Sequence, residues 1–124
     1  MKSQFRQTSK RINDEVNHVL KEIDEQQIDL FMDDVHSKKR IFIAGVGRTG
    51  LMMKSFSMRL MHLGLKVFYI GETNTPSVNH DDLLIVGSGS GETLSLVSIT
   101  EKAKKLGLNM VLITIDDLSS LAKE

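Results

Sequence analysis

Two glycine-rich segments hold the residues best suited to chemistry: Gly45-Val46-Gly47-Arg48-Thr49-Gly50 and Gly87-Ser88-Gly89-Ser90-Gly91-Glu92-Thr93. The first satisfies G-x-G-x-x-G, in which glycines let a pyrophosphate approach the backbone where a strand turns into a helix. Glu72, 22 residues after Gly50, stands near where such a fold would hold ribose hydroxyls. The second segment has no Walker lysine and so is not a nucleotide P-loop. Its glycines let N–H groups converge, Ser88, Ser90 and Thr93 add hydroxyl donors, and a helix beginning near Gly91 or Glu92 would aim its positive end at an anion. A small phosphate monoester suits it. Strand-to-helix turns also carry glycine and serine for geometry alone, but two such segments facing one crevice favour a ligand site.

Arg48 can reach a phosphate or a sugar oxygen from the first segment. Glu92 is read first as a carboxylate serving the helix dipole and its free donors, and second as a general base. His18, His36, His62 and His80 have no zinc-ligand spacing, and no metal site is expected. Of the four, His80 alone has a route to the crevice. Glu72, Glu92 and His80 are thus the candidates for proton transfer.

Short apolar runs at 41–44 (IFIA), 67–70 (VFYI), 83–86 (LLIV) and 110–115 (MVLITI) are rich in β-branched residues, as in parallel strands covered on both faces. The intervening LMMKSFSMRLMHLG and ETLSLVSITEKAKKLG are long enough for helices and end at Gly64 and Gly107, suited to the C′ position. Met52, Met53, Met58 and Met61 read as core packing. Residues 71–81, with the only proline, form a loop. The resulting class is α/β, a doubly wound parallel sheet in flavodoxin-like order 2-1-3-4-5, where the first and third strands meet at the switch point and both glycine-rich segments open onto one crevice.

Before the sheet, Ile12, Val16, Val19, Leu20 and Ile23 share one helical face, and Asp24 with Gln27 in capping-box spacing opens a second helix that ends near Ser37. The basic Lys38, Lys39 and Arg40 complement that helix's negative end. A single domain of 1–124 follows, with N-terminal helices in 1–38 and the parallel core in 40–124. DLSSLAKE reads as the opening of another helix, capped by Asp116 or Asp117, with Leu118 and Leu121 inward. The last strand of the full order is expected to be missing.

The 124 residues carry 16 basic and 16 acidic side chains, so no bulk attraction draws the chain to nucleic acid or an anionic membrane, and neither partner is expected. The absence of cysteine removes disulfides and thiolate chemistry. With no apolar run of spanning length and no signal-peptide stretch at its start, a cytoplasmic protein is expected.

Ser88 to Thr93 (SGSGET), beside Gly45 to Thr49, resembles the sugar isomerase (SIS) domain. Arg48, the run from Lys54 to His62 and Gly71 to Pro76 (GETNTP) are similar to its 6-phospho-3-hexuloisomerase branch. The resemblance implies isomerisation between 3-hexulose 6-phosphate and fructose 6-phosphate through an enediol(ate), in formaldehyde assimilation or detoxification, without metal or redox cofactor. It implies a homo-oligomer, dimer or tetramer, with a phosphorylated ketohexose as its ligand. Carried over by position, Thr49, Ser88, Ser90 and Thr93 hold the phosphate with the backbone of Gly89, Gly91 and Glu92, while Gly47 and Arg48 line the sugar side. Thr49 replaces a more usual serine and keeps the hydroxyl. In the family a glutamate past the equivalent of residue 124 is the expected base, so this polypeptide is expected to bind without turning over. Two readings of other classes are a non-catalytic SIS sugar-phosphate module and a Rossmann-type NAD-binding protein.

Overall fold

The computed structural model describes residues 2–89, 93–114 and 122. Its elements run α1 (Lys2–Glu22), α2 (Glu25–Ser37), β1 (Ile41–Ala44), α3 (Gly47–His62), β2 (Val67–Tyr69), β3 (Leu83–Gly87), α4 (Leu94–Lys105) and β4 (Asn109–Ile113). The chain divides into two compact units, Met1–Asp33 and Asp34–Glu124. In the first, the Asp24 carboxylate accepts the Gln26 N–H at 2.9 Å, the N-cap bond that starts α2. Of the expected helix over 117–124, only Ala122 is among the described residues.

The second unit is a parallel sheet in the order β2-β1-β3-β4, the first four strands of the expected topology. Ile41 to Ala44 pair with Leu83 to Val86, and Ile43 stands beside Tyr69. Alternation divides the strands between two faces. Phe42, Ala44, Leu84 and Val86 pack with Leu96, Ala103 and Leu108 on the α4 side, where Phe42 also stacks on Phe68 at 5.3 Å. Ile41, Ile43, Leu83 and Ile85, equally buried, alternate to the other face, the one on which α3 lies against Gly87.

Both crossover helices end as their glycines require. Leu65 N–H donates to Leu60 C=O and Gly64 N–H to Met61 C=O; Leu108 and Gly107 repeat the pattern on Ala103 and Lys104. These are Schellman closures that satisfy the last carbonyls and turn each chain into its next strand.

Two expectations need correction. Only Met53 of the methionine group is core; Met52, Met58 and Met61 are more than half exposed. The buried stripe of α3 is Gly50, Met53 and Leu60, and the other methionines fall out of phase with it. The fourth helix starts at Leu94, with Thr93 at its N-cap, and not at Gly91 or Glu92.

The lower rim of the sheet is fastened by Arg40, whose guanidinium donates to both Asp82 oxygens at 3.0 and 2.7 Å and to the Ser77 carbonyl at 3.0 Å. Asp82 is buried and also accepts the Asn79 N–H. This fork-on-fork pairing ties the starts of β1 and β3 to the incoming 71–82 loop.

Candidate functional site

The first glycine-rich segment leaves β1 and the second leaves β3, and these strands are hydrogen-bonded neighbours with Ala44 beside Val86. Both segments therefore emerge at the same end of the sheet. Their contact is direct: a Cβ on Gly87 would come within 2.6 Å of Met53 Cγ and 3.2 Å of Thr49 Cγ2. The start of α3 is pressed onto the end of β3 with no room for a side chain between them.

Gly47 begins α3 with φ +60°, a left-handed conformation that a side chain would strain. Its predecessor, Val46, occupies the N-cap position and has no polar group to cap with. Thr93, at the N-cap of α4, could cap but makes no such bond; its hydroxyl stands 3.2 Å from Ser88 Oγ. Two helix N-termini without side-chain caps thus begin at one end of the sheet, each with N–H groups and a positive dipole end available to an anion.

The second segment is anchored on its β4 side. Ser88 N–H donates to Ile113 C=O at 3.0 Å, and the Thr114 hydroxyl donates to Gly89 C=O at 3.3 Å. Ser88 is buried, Thr93 half-buried and Gly89 exposed. Ser90, Gly91 and Glu92, expected to supply a hydroxyl, backbone N–H groups and a carboxylate, lie outside the described residues. In the first segment, Thr49 is half-buried, while Gly47 and Arg48 are exposed.

Glu72 follows β2 at this same end of the sheet, but its carboxylate is 3.3 Å from the Lys54 ammonium. That pairing competes with a role on ribose hydroxyls. His80 does not share the crevice: it precedes β3, at the opposite end of that strand from Ser88, and its ring is 3.3 Å from the Asp81 carboxylate. Among the described residues no group of three metal-ligating side chains occurs.

Sequence reasoning missed Tyr69. Its hydroxyl is 2.7 Å from Gly45 O and 3.3 Å from Gly50 O, bridging both ends of the first segment, and Lys54 Nζ lies 5.0 Å from its ring centroid. Burial pushes the phenol up from its ordinary pKa, against a smaller opposing pull from Lys54, so it remains a donor. Within VFYI the tyrosine reads only as a strand residue, and its acceptors are backbone carbonyls that leave no mark in sequence.

The SIS domain family model matches residues 34–124, the span of the second structural unit. The 3-hexulose-6-phosphate isomerase of Bacillus subtilis is 46% identical over 102 residues, 82% of this chain and 55% of that protein. Among solved structures, a hypothetical protein superposes with TM-score 0.90 at 39% identity, covering 96% of this chain and 63% of that one. A Methanococcus jannaschii protein whose structure infers the function of 3-hexulose-6-phosphate isomerase has TM-score 0.76 and 43% identity, covering 79% and 55%. The chain spans about half the length of the isomerase relative from Bacillus subtilis.

Proposed function

Because the chain belongs to the SIS domain family, we propose that it binds a phosphorylated ketohexose as part of an isomerase between 3-hexulose 6-phosphate and fructose 6-phosphate. The observation that carries this reading is the meeting of two glycine-rich segments, each opening a helix without a side-chain cap, at the ends of neighbouring parallel strands. The phosphate sits on the segment from Ser88 to Thr93, with the Thr49 hydroxyl across from it. The sugar extends towards Gly47 and Arg48. No metal or redox group is needed, because the reaction moves a carbonyl by one carbon.

That shift requires removing a proton from carbon and stabilising an enediol(ate) oxygen. The guanidinium of Arg48, exposed in the first turn of α3, supplies positive charge for the oxyanion. Glu72 and Glu92 are this chain's carboxylate candidates for the proton, and the Lys54 ammonium competes for the first of them. The protein is further proposed to be cytoplasmic, to work as a homo-oligomer and to serve formaldehyde assimilation.

Calorimetric titration tests the binding half of the reading. Fructose 6-phosphate should bind, whereas fructose and NAD should not; binding of NAD in preference would return the first segment to a dinucleotide role. Deuterium exchange tests the chemical half. Wash-out of the C3 proton of fructose 6-phosphate into heavy water would assign the base to this chain's own residues; binding with that proton retained would exclude Glu72 and Glu92 as the base.

A further inference from the structure

We propose that Tyr69 is a positioning residue, a latch from β2 that fixes where the first glycine-rich segment presents Gly47 and Arg48. The ladder between β1 and β2 ends at Ile43 and Tyr69, and the backbone bond from Ile70 N–H to Ile43 C=O is the last between these two strands. Beyond it the chain from Gly45 to Gly50 leaves the sheet. The Tyr69 side chain continues where the ladder stops, reaching along the α3 face to the Gly45 carbonyl at 2.7 Å and, as the longer arm, to the Gly50 carbonyl at 3.3 Å.

The segment is shaped around this hydroxyl. A Cβ on Gly50 would lie 2.9 Å from the Gly45 carbonyl and 3.1 Å from Tyr69 Oη, and one on Gly45 would lie 3.1 Å from Gly50 Cα. The two glycines thus touch, closing the segment into a narrow loop whose ends share one donor. Lys54, one turn into α3 beyond Gly50, lies over the ring and is paired to Glu72 at 3.3 Å, which holds the ring from its outer side. The first segment's two outer glycines are accounted for by contact with each other and with Tyr69.

The consequence for ligand rests on the sugar-phosphate reading, but the latch itself does not. Tyr69→Phe keeps the ring and deletes the hydroxyl. Hydrogen exchange should then speed up by about three- to tenfold at the first bonded amides of α3, residues 50–53, where Gly50 N–H donates to the Val46 carbonyl, the range expected from one lost hydrogen bond. Amides of β3 and of residues 87–89 should keep their rates. Equal rates at 50–53 in both proteins, or a uniform rise across the sheet, would overturn the proposal, the second by showing only a general loss of stability.

Gly50→Ala gives an independent check by wedging the same contact from the other side, and should accelerate the same amides. A ligand arm separates this claim from the functional one. In Tyr69→Phe the affinity for fructose 6-phosphate should fall by a similar three- to tenfold, and that for inorganic phosphate by less, since Thr49 alone of this segment faces the phosphate. Equal loss for both ligands would contradict a role confined to the first segment. Failure of the parent protein to bind fructose 6-phosphate would refute the sugar-phosphate reading and leave the exchange rates to decide the latch.

Discussion

Thr93 stands at the N-cap of α4 with its hydroxyl turned to Ser88 and not to the helix, so its removal should affect ligand far more than fold. A hydrogen bond to a charged group contributes about 1.5 to 3 kcal/mol. Thr93→Ala should therefore weaken fructose 6-phosphate binding by at least roughly tenfold, and adding Ser90→Ala should weaken it further. Calorimetry on the single and double variants checks this; unchanged affinity would remove the phosphate from the second segment. Asp82→Ala should do the reverse. It strands the Arg40 guanidinium and the Asn79 N–H at the far end of the sheet, and should lower the thermal midpoint by roughly 10 °C or more while leaving affinity in the cold unaltered. At this scale the two glycine-rich segments were legible because their spacing marks where a strand turns into a helix. Tyr69 was not, since a side chain that serves distant carbonyls has no pattern of its own. His80 misled although its place was legible: a residue just before a parallel strand stands at its N-terminal end, away from a crevice at the C-terminal ends.

At the scale of elements, the contact between α3 and β3 holds the two segments together. Gly87→Ala would force Met53 and Thr49 away from the strand, and overpacking of this kind costs about 1 to 3 kcal/mol. The variant should lose stability in urea and also weaken sugar-phosphate binding, because α3 carries Gly47 to Thr49 with it. Met53→Ala made in the Gly87→Ala background should restore part of the stability, a coupling that a double-mutant cycle measures. Strictly additive losses would mean that the contact is not the cause. The strands were legible as unbroken β-branched runs, and the helix ends as glycines, because both follow from local sterics. The phase of α3 was not: methionine is apolar wherever it stands, and only Gly50, Met53 and Leu60 mark the inward face. The start of α4 was misplaced for a related reason, since glycine and glutamate before Thr93 are compatible with either a loop or a first turn.

At the scale of the whole molecule, α3 exposes Leu51, Met52, Met58 and Met61, and Leu63 follows it, each more than half exposed. Under the proposed homo-oligomer these residues are covered by another subunit. Light scattering at roughly tens of micromolar should then report a dimer or tetramer, and Met58→Lys with Met61→Lys should shift it towards monomer. A monodisperse monomer in the parent protein would contradict the assignment. The order of the four strands was legible from the alternation of runs and crossovers, and with it the meeting of the two segments at one end of the sheet. The division of the chain near Asp34 was not, because α2 reads as one continuous amphipathic helix on both sides of it. The central claim is that these segments form one sugar-phosphate site, and amide chemical shifts during a titration with fructose 6-phosphate test it most directly. The amides of residues 46–49 and of 87–94 should move together along a single saturation curve. Movement of one segment alone, or the same movements with unphosphorylated fructose, would contradict it.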